Sequence, residues 1–352
     1  MDSQQGLLEW HGNIYPTVEA VMLAIKDSII AGHVSHNDVA FKLYHINHHH
    51  NFVQRSITGF EIAVMGTMSS GKSTLINALI GDDLLPVQSL ACTSTICTIV
   101  DDDVAPYFTG RYRIGSDFSP FQITTENVIR NWNETPDIEE IELYGNLPGI
   151  DNTKQGTRLI IVDTPGPNNS STQSHAELMR TYLEDGNYGV VLYLLNAAHL
   201  CTNDDKYTLQ QIANELINYP EKQILFVINK ADLLTANDDP YLCILSTQSY
   251  LKTLGFLEPV IISLKADRAL LARKALDGCP MTNEEEFDLR CFLGRKLNKI
   301  TDTTVLLDGE DIARELIEDL LFDSGVPSLE AELQKMLCTH DMNKTNKGEY
   351  LI

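Results

Sequence analysis

The stretch FEIAVMGTMSSGKSTLINALIG, Phe60 to Gly81, decides how the whole chain is read. Ile62-Ala63-Val64-Met65 is a short apolar run of the kind that forms a buried strand. Gly66 and Gly71 bracket a loop, and Lys72-Ser73-Thr74 opens a helix that runs to Ile80 and stops at Gly81. The spacing G-x-x-x-x-G-K-[ST] is that of a phosphate-binding loop. Successive backbone N–H groups must wrap a polyphosphate there, so the turn needs residues that tolerate unusual dihedrals. The helix N-terminus adds unsatisfied donors and partial positive charge. Gly66, Ser69, Ser70, Gly71 and Thr74 thus join Lys72 and Ser73 as candidate phosphate ligands. Lys72 would reach the outer phosphates, and the Ser73 hydroxyl would ligate Mg²⁺. An ordinary strand-turn-helix can match the pattern by chance, so the rest of the chain has to decide.

Two further motifs follow in the right order. Leu159-Ile160-Ile161-Val162 is an apolar strand ending in Asp163-Thr164-Pro165-Gly166, a D-x-x-G motif. A carboxylate at a strand end can hold Mg²⁺ through water, and the Gly166 N–H can sense a terminal phosphate with no side chain in the way. Gln223 to Ile228 is another strand, ending in Asn229-Lys230-Ala231-Asp232. Asp232 can accept two hydrogen bonds from the ring N–H and exocyclic amine of guanine, a donor pair that adenine lacks. The Lys230 stem can lie on the base, and Asn229 can tie this loop to the phosphate loop. The bland reading of N-K-x-D is a strand followed by a capped helix start. Pro259 to Ser263 is a later strand, and Ser263-Leu264-Lys265 after it would offer a backbone N–H to the guanine oxygen.

Elsewhere the pattern is coarser. Residues 1 to about 55 read as helical, with Val18, Val21, Met22, Ile25, Ile29 and Ile30 on one face. Of His45, His48, His49 and His50, three can share a helix face at i, i+3 and i+4, but no Cys, Asp or Glu nearby completes a metal set, and a solvated helix end is the better reading. Thr93 to Val100 reads as a β-branched edge strand, and Ile141 to Tyr144 as a strand pairing with Leu159 to Val162 in an antiparallel hairpin. Residues 101 to 139 say little beyond a short helix from Thr125 to Trp132. Strand-helix alternation resumes with Tyr188 to Leu195, Asp204 to Asn218 and Thr247 to Leu254. Thr282 and Glu285 are spaced as a capping box for a helix to Asn298. Asp311 to Phe322 and Leu329 to Leu337 read as amphipathic helices, with a frayed tail from Thr339.

Composition narrows the function classes. Of 352 residues, 26 are Lys or Arg and 49 Asp or Glu, a net charge of −23 that repels phosphate backbones and anionic headgroups at long range. Nucleic acid is therefore not an expected partner, nor is direct membrane binding by this chain alone. Seven scattered cysteines without a CxxC pair suit a reducing compartment.

The set GTMSSGKST, Thr93, DTPG and NKAD resembles the GTPase superfamily, and most of all its dynamin-like branch with bacterial members. Ser69-Ser70 in the loop and the leucine-proline pair of GDDLLPVQSLACT before Thr93 carry the finer likeness, as does SGVPSLEAELQKML near the C-terminus. The segment between Lys72 and Asp163 is also much longer than in small Ras-type GTPases. The resemblance implies an α/β P-loop GTPase fold of three layers with a mostly parallel sheet over 56–340. A neck-like helical segment over 1–55 and a polar tail over 341–352 would flank it. It implies Mg²⁺-dependent hydrolysis of GTP to GDP and phosphate, stimulated by dimerisation. Thr93 would close switch I and share the metal with Ser73 and Asp163, and Ser69 would help place catalytic groups and a monovalent cation, Na⁺ or K⁺. The expected partner is a second G domain of the same kind or a stalk-bearing dynamin-like protein. Met68 stands where dynamin usually has glutamine. The family's helical stalk is missing from the sequence, so the expected location is the cytoplasm, with membranes reached through a partner or a stalk. Two other readings are a nucleotide-binding scaffold with little turnover and a ribosome-assembly switch. The second usually carries a basic RNA-binding module, which −23 argues against.

Overall fold

The computed structural model describes residues 8–10, 13–15, 59–87, 95–103, 105–151, 157–164, 188–219, 222–234, 239–294, 304–307 and 310–347. Two short strands, β1 (Leu8–Trp10) and β2 (Asn13–Tyr15), pair antiparallel. They stand where the sequence suggests helix. The Val18–Ile30 face and the His45–His50 cluster lie outside the described residues.

The core is a ten-stranded sheet. Its strands in chain order are β3 (Gly59–Gly66), β4 (Ile96–Asp101), β5 (Thr109–Ile114), β6 (Asp117–Phe118), β7 (Gln122–Ile123), β8 (Glu140–Gly145), β9 (Arg158–Asp163), β10 (Val190–Asn196), β11 (Gln223–Asn229) and β12 (Val260–Ser263). In space the order is β12-β11-β10-β3-β9-β4-β8-β5-β6, with β7 on β5. The five strands β12, β11, β10, β3 and β9 are mutually parallel. They are the near-continuous apolar runs expected of strands covered on both faces. Their carboxyl ends therefore all emerge along one side of the sheet.

Helices cover both faces. On one face pack α1 (Lys72–Ile80), α2 (Glu126–Asn133), α5 (Ala266–Asp277) and α8 (Val326–Lys347), closing on Ile62, Val64, Leu192 and Val227. On the other, α3 (Asn203–Asn218) and α4 (Pro240–Thr253) close on Met65, Tyr193 and Phe226. A satellite core joins α5 to α6 (Asn283–Leu293) and α7 (Arg314–Asp323). The expected three-layer α/β architecture with a mostly parallel sheet is what the chain forms. No helix among the described residues is long and apolar enough to cross a membrane.

Several local expectations are corrected. Ile141–Tyr144 and Leu159–Val162 do run antiparallel, but they do not pair, because β4 lies between them. The strand expected at an edge is thus interior, and β9, buried along five of six positions, needs a neighbour on both sides. Asp311 begins no helix; it belongs to β14 (Glu310–Ala313), which pairs with β13 (Thr304–Leu307) before α7 starts. The tail expected to fray from Thr339 is helical to Lys347. The Thr282–Glu285 capping box is present in both directions.

One buried ion pair locks the helices of the first face together. Arg273 of α5 donates to Glu330 of α8 at 2.5 Å and to the Ala78 carbonyl in the last turn of α1. The two side chains are 7% and 6% exposed. Removing one partner of such a pair leaves a buried charge, which costs about 3–5 kcal/mol. Glu330→Ala is therefore expected to lower unfolding stability by about that amount, read as a shift of the urea midpoint at unchanged m value. A loss under about 1 kcal/mol would show the pair to be solvated in solution.

Candidate functional site

The five parallel strand ends deliver almost every described candidate residue to one side of the sheet. From β3 comes the loop 66–71 and then α1. At its heart Ser69 holds a left-handed backbone, φ 62, and Gly71 has φ 90. Gly71 has no substitute, since a Cβ there would stand 2.4 Å from the Asn229 side-chain nitrogen. That nitrogen donates to the Ser70 carbonyl at 3.0 Å, so Asn229 at the end of β11 ties the loop from behind. Its oxygen accepts from Lys230 N at 2.8 Å and Ala266 N at 3.1 Å, which joins the loop to α5 as well. The link from Asn229 to the phosphate loop, read from the sequence, is present.

The Lys72 ammonium folds back onto the loop, donating to the Gly66 carbonyl at 3.0 Å and lying 3.5 Å from that of Thr67. Burial pushes it below its ordinary range, and the nearby Asp163 carboxylate holds it up. The next residue, Ser73, donates to Asp163 Oδ2 at 3.4 Å. Asp163 ends β9, is fully buried, and its Oδ1 has no partner among the described residues. Burial pushes its carboxyl up to about 6, and the Lys72 charge and the Ser73 hydroxyl hold it back. A buried, under-coordinated carboxylate beside a hydroxyl fits a hard divalent cation, because oxygen donors of this kind are what Mg²⁺ takes. Ser70 Oγ is likewise buried and unpartnered. Thr164 turns away, donating to the Val64 carbonyl at 2.8 Å. Thr74 is half-buried on the first turn of α1. Thr93 and Gly166 lie outside the described residues, as do Pro165 and the segment after it.

At the other end, Lys230 takes a left-handed backbone, φ 60, and starts a short 3-10 turn over Ala231–Leu233 that carries Asp232. Asp232 Oδ1 is buried without a hydrogen-bond partner among the described residues. Ser263 ends β12 in register with Ile228, which brings 263–265 beside this turn. Of the backbone N–H groups in this segment, that of Leu264 donates to the Ile228 carbonyl and that of Lys265 to the Ser324 carbonyl. Both N–H groups are committed within the protein, the second to the turn between α7 and α8. Leu264 is buried, and the Lys265 ammonium donates to the Asp323 carbonyl at 3.3 Å.

One functional residue escapes the sequence reading. Asn196, at the end of β10, donates to the Ser69 carbonyl at 3.3 Å and accepts from Ala198 N. It is the register partner of Asn229, so two side-by-side asparagines hold successive loop carbonyls. An asparagine ending the apolar run Val190–Leu195 was the available signal. No residue in the sequence is an evident arginine finger, though Arg111, Arg113 or Arg180 could be one; Arg111 and Arg113 sit on β5, four strands from β3 and roughly 19 Å away at about 4.8 Å per strand. They are paired with Glu142 and with Glu139 and Glu140. Arg180, the third, lies outside the described residues.

With this geometry in view, the comparisons with known proteins are specific. Residues 62–231 match the profile of the Dynamin family. An uncharacterized protein in the xynA 3′ region of Caldicellulosiruptor sp. (strain Rt8B.4) is 27% identical over 246 residues, 66% of this chain and 54% of that protein. A bacterial dynamin-like protein of Nostoc punctiforme is 29% identical over 161 residues, 43% of this chain and 22% of that protein. Dynamin-like protein 1 of Campylobacter jejuni is 24% identical over 216 residues, 51% and 28% respectively. The chain thus spans about half or less of the length of the curated relatives it matches. Among solved structures it is similar to a bacterial dynamin of an oligomerised pair described as sensing and tethering membranes, at 16% identity and a TM-score of 0.47, over 93% of this chain and 50% of that one. Aquifex aeolicus Era bound to GDP and AlF4⁻ follows at 19% identity and a TM-score of 0.35, over 59% and 52%. Residues 62–231 of this chain thus match the Dynamin family, with bacterial dynamin-like proteins as relatives at low identity.

Proposed function

We propose that this site binds GTP and hydrolyses it to GDP and phosphate with Mg²⁺, and that pairing of two G domains stimulates turnover. The observation that carries the reading is the juxtaposition of Ser73 and Asp163 at 3.4 Å, with one buried Asp163 oxygen left over. Bound there, Mg²⁺ would supply charge neutralisation between the β- and γ-phosphates. Ser73 and Asp163 would hold it, joined by Thr93. Lys72 exchanges the loop carbonyls for the outer phosphates. The N–H groups of 66–71 and the α1 N-terminus bind the remaining oxygens, and Asp232 accepts from the guanine edge.

Water positioning needs more than this. Pro167 follows D-T-P-G and has no side-chain donor or acceptor, and Met68 replaces the loop glutamine. Ser69 projects from an exposed, left-handed position steadied by Asn196. A second G domain meeting this face would order the switches and let Ser69, loop backbone and a monovalent cation place the water. Positioning and electrostatic stabilisation are the two largest sources of rate available here. Phosphate release per subunit is therefore expected to rise with protein concentration, and a transition-state analogue with Mg²⁺ to yield dimers in analytical ultracentrifugation. Flat specific activity up to high concentration, with a monomeric analogue complex, would overturn the pairing step.

A further inference from the structure

The base end of the site holds a residue that none of the motifs contains. Arg268, on the first turn of α5, points one terminal nitrogen at Asp232 Oδ2 from 3.9 Å. At that distance it is an ion pair and not a hydrogen bond. Both side chains are largely covered, 25% exposed for Arg268 and 15% for Asp232. The guanidinium lies over the Phe292 ring of α6, 4.6 Å from its centroid. Among the described residues, neither Arg268 Nε nor Asp232 Oδ1, both buried, has a hydrogen-bond partner. A second carboxylate, Asp267, sits on the same turn; burial pushes it up, and the Asp232 charge adds to that.

This arrangement divides the Asp232 carboxylate. One oxygen faces the guanidinium, and the other has no hydrogen-bond partner among the described residues, which leaves it for a ligand. A carboxylate has about four acceptor positions, so the ion pair leaves room for two donors from a base. Without the Arg268 charge beside it, Asp232 would face the repulsion of the Asp267 carboxylate uncompensated and would rotate away, which removes an acceptor from the base edge. The phenylalanine matters because an arginine can stack on a ring and still present its edge to a carboxylate, where a lysine cannot.

We infer that Arg268, held on Phe292, is a specificity-determining positioning residue that fixes Asp232 as a charged double acceptor for the guanine edge. The inference rests on the guanine reading given above. It predicts a defect confined to the base: the phosphates are bound from β3 and β9, and Arg268 touches neither.

The test compares GTP with ITP, which lacks the exocyclic amine. Binding is measured by competition on the full chain with Mg²⁺, alongside inorganic tripolyphosphate. A hydrogen bond to a charged acceptor should give the wild type a GTP over ITP preference of about tenfold or more. Arg268→Gln should shrink that preference to within about threefold and leave tripolyphosphate affinity unchanged. Arg268→Lys should restore part of it, and Phe292→Leu should shrink it less than Arg268→Gln. A folding defect would weaken tripolyphosphate equally, and such a result counts against a positioning role. An unchanged GTP over ITP ratio in Arg268→Gln overturns this inference alone. A wild type that binds GTP no better than ATP overturns the guanine reading and this inference with it.

Discussion

Lys72→Ala is expected to lose nucleotide binding and turnover while keeping the fold. The Lys72 ammonium has no carboxylate of its own in hydrogen-bond range; it rests on the Gly66 and Thr67 carbonyls. A charged donor to phosphate contributes about 1.5–3 kcal/mol to binding. A preorganised donor on developing charge contributes roughly 3–4 kcal/mol to the transition state. Affinity should therefore fall by about 10- to 100-fold, and phosphate release at saturating GTP by a further factor of about 100 or more. The fold should tolerate the change, because truncation removes a desolvated cation and leaves two carbonyls in an open loop. Asp163 is the residue that feels it, since Lys72 is the charge holding its carboxyl down. Calorimetry with GTP and a thermal melt on the same sample check both halves. A folded variant with undiminished hydrolysis would place the phosphates elsewhere.

Asp232→Asn is the second large effect, and it changes specificity as well as affinity. An asparagine in the same place presents one acceptor and one donor. The donor faces a guanine N–H, so one hydrogen bond is lost and one buried donor is left unpaired. Losing one bond to a charged acceptor and leaving a buried donor unpaired together cost about 2.5–6 kcal/mol, or roughly 100- to 10,000-fold in GTP affinity. Xanthosine triphosphate has a carbonyl where guanine has the amine, and it should become the better ligand. Competition titrations with GTP, XTP and ATP measure the ranking for both proteins. A variant that still prefers GTP with less than a threefold loss would remove Asp232 from the base site. Arg268 stays in place in this variant, so its effect is separable from that of Arg268→Gln.

The parts of this protein most legible in the sequence are those where chemistry restricts residue type. Phe60 to Gly81 was legible because two glycines, a lysine and a serine at fixed spacing suit a phosphate-binding turn, and the D-T-P-G and N-K-A-D motifs downstream weighed against a chance match. The strands ending at Asp163 and Asn229 were legible because apolar runs stop sharply at polar residues. The capping box at Thr282 was equally direct. What could not be read was arrangement. Nothing in Ile96–Asp101 announces that it lies between β8 and β9, because strand order is set by packing across the sheet. Helix α5 escaped notice because it is buried along most of its length, Arg273 and Lys274 included, and so shows no single apolar stripe. Strands β6 and β7 are two residues each, too short for any period. Asn196 and Arg268 belong to no motif; their roles come from where β10 ends and α5 begins, and only the assembled sheet reveals that.

The central claim is a Mg²⁺-dependent hydrolysis site selective for guanine. Phosphate release by the wild-type chain, measured with GTP and with ATP at matched concentrations, with Mg²⁺ and with excess chelator, tests it most directly. The account predicts steady release from GTP with Mg²⁺, release from ATP lower by about 100-fold or more, and none above background with chelator. Equal release from ATP and GTP, or release from GTP that survives chelation, would contradict it.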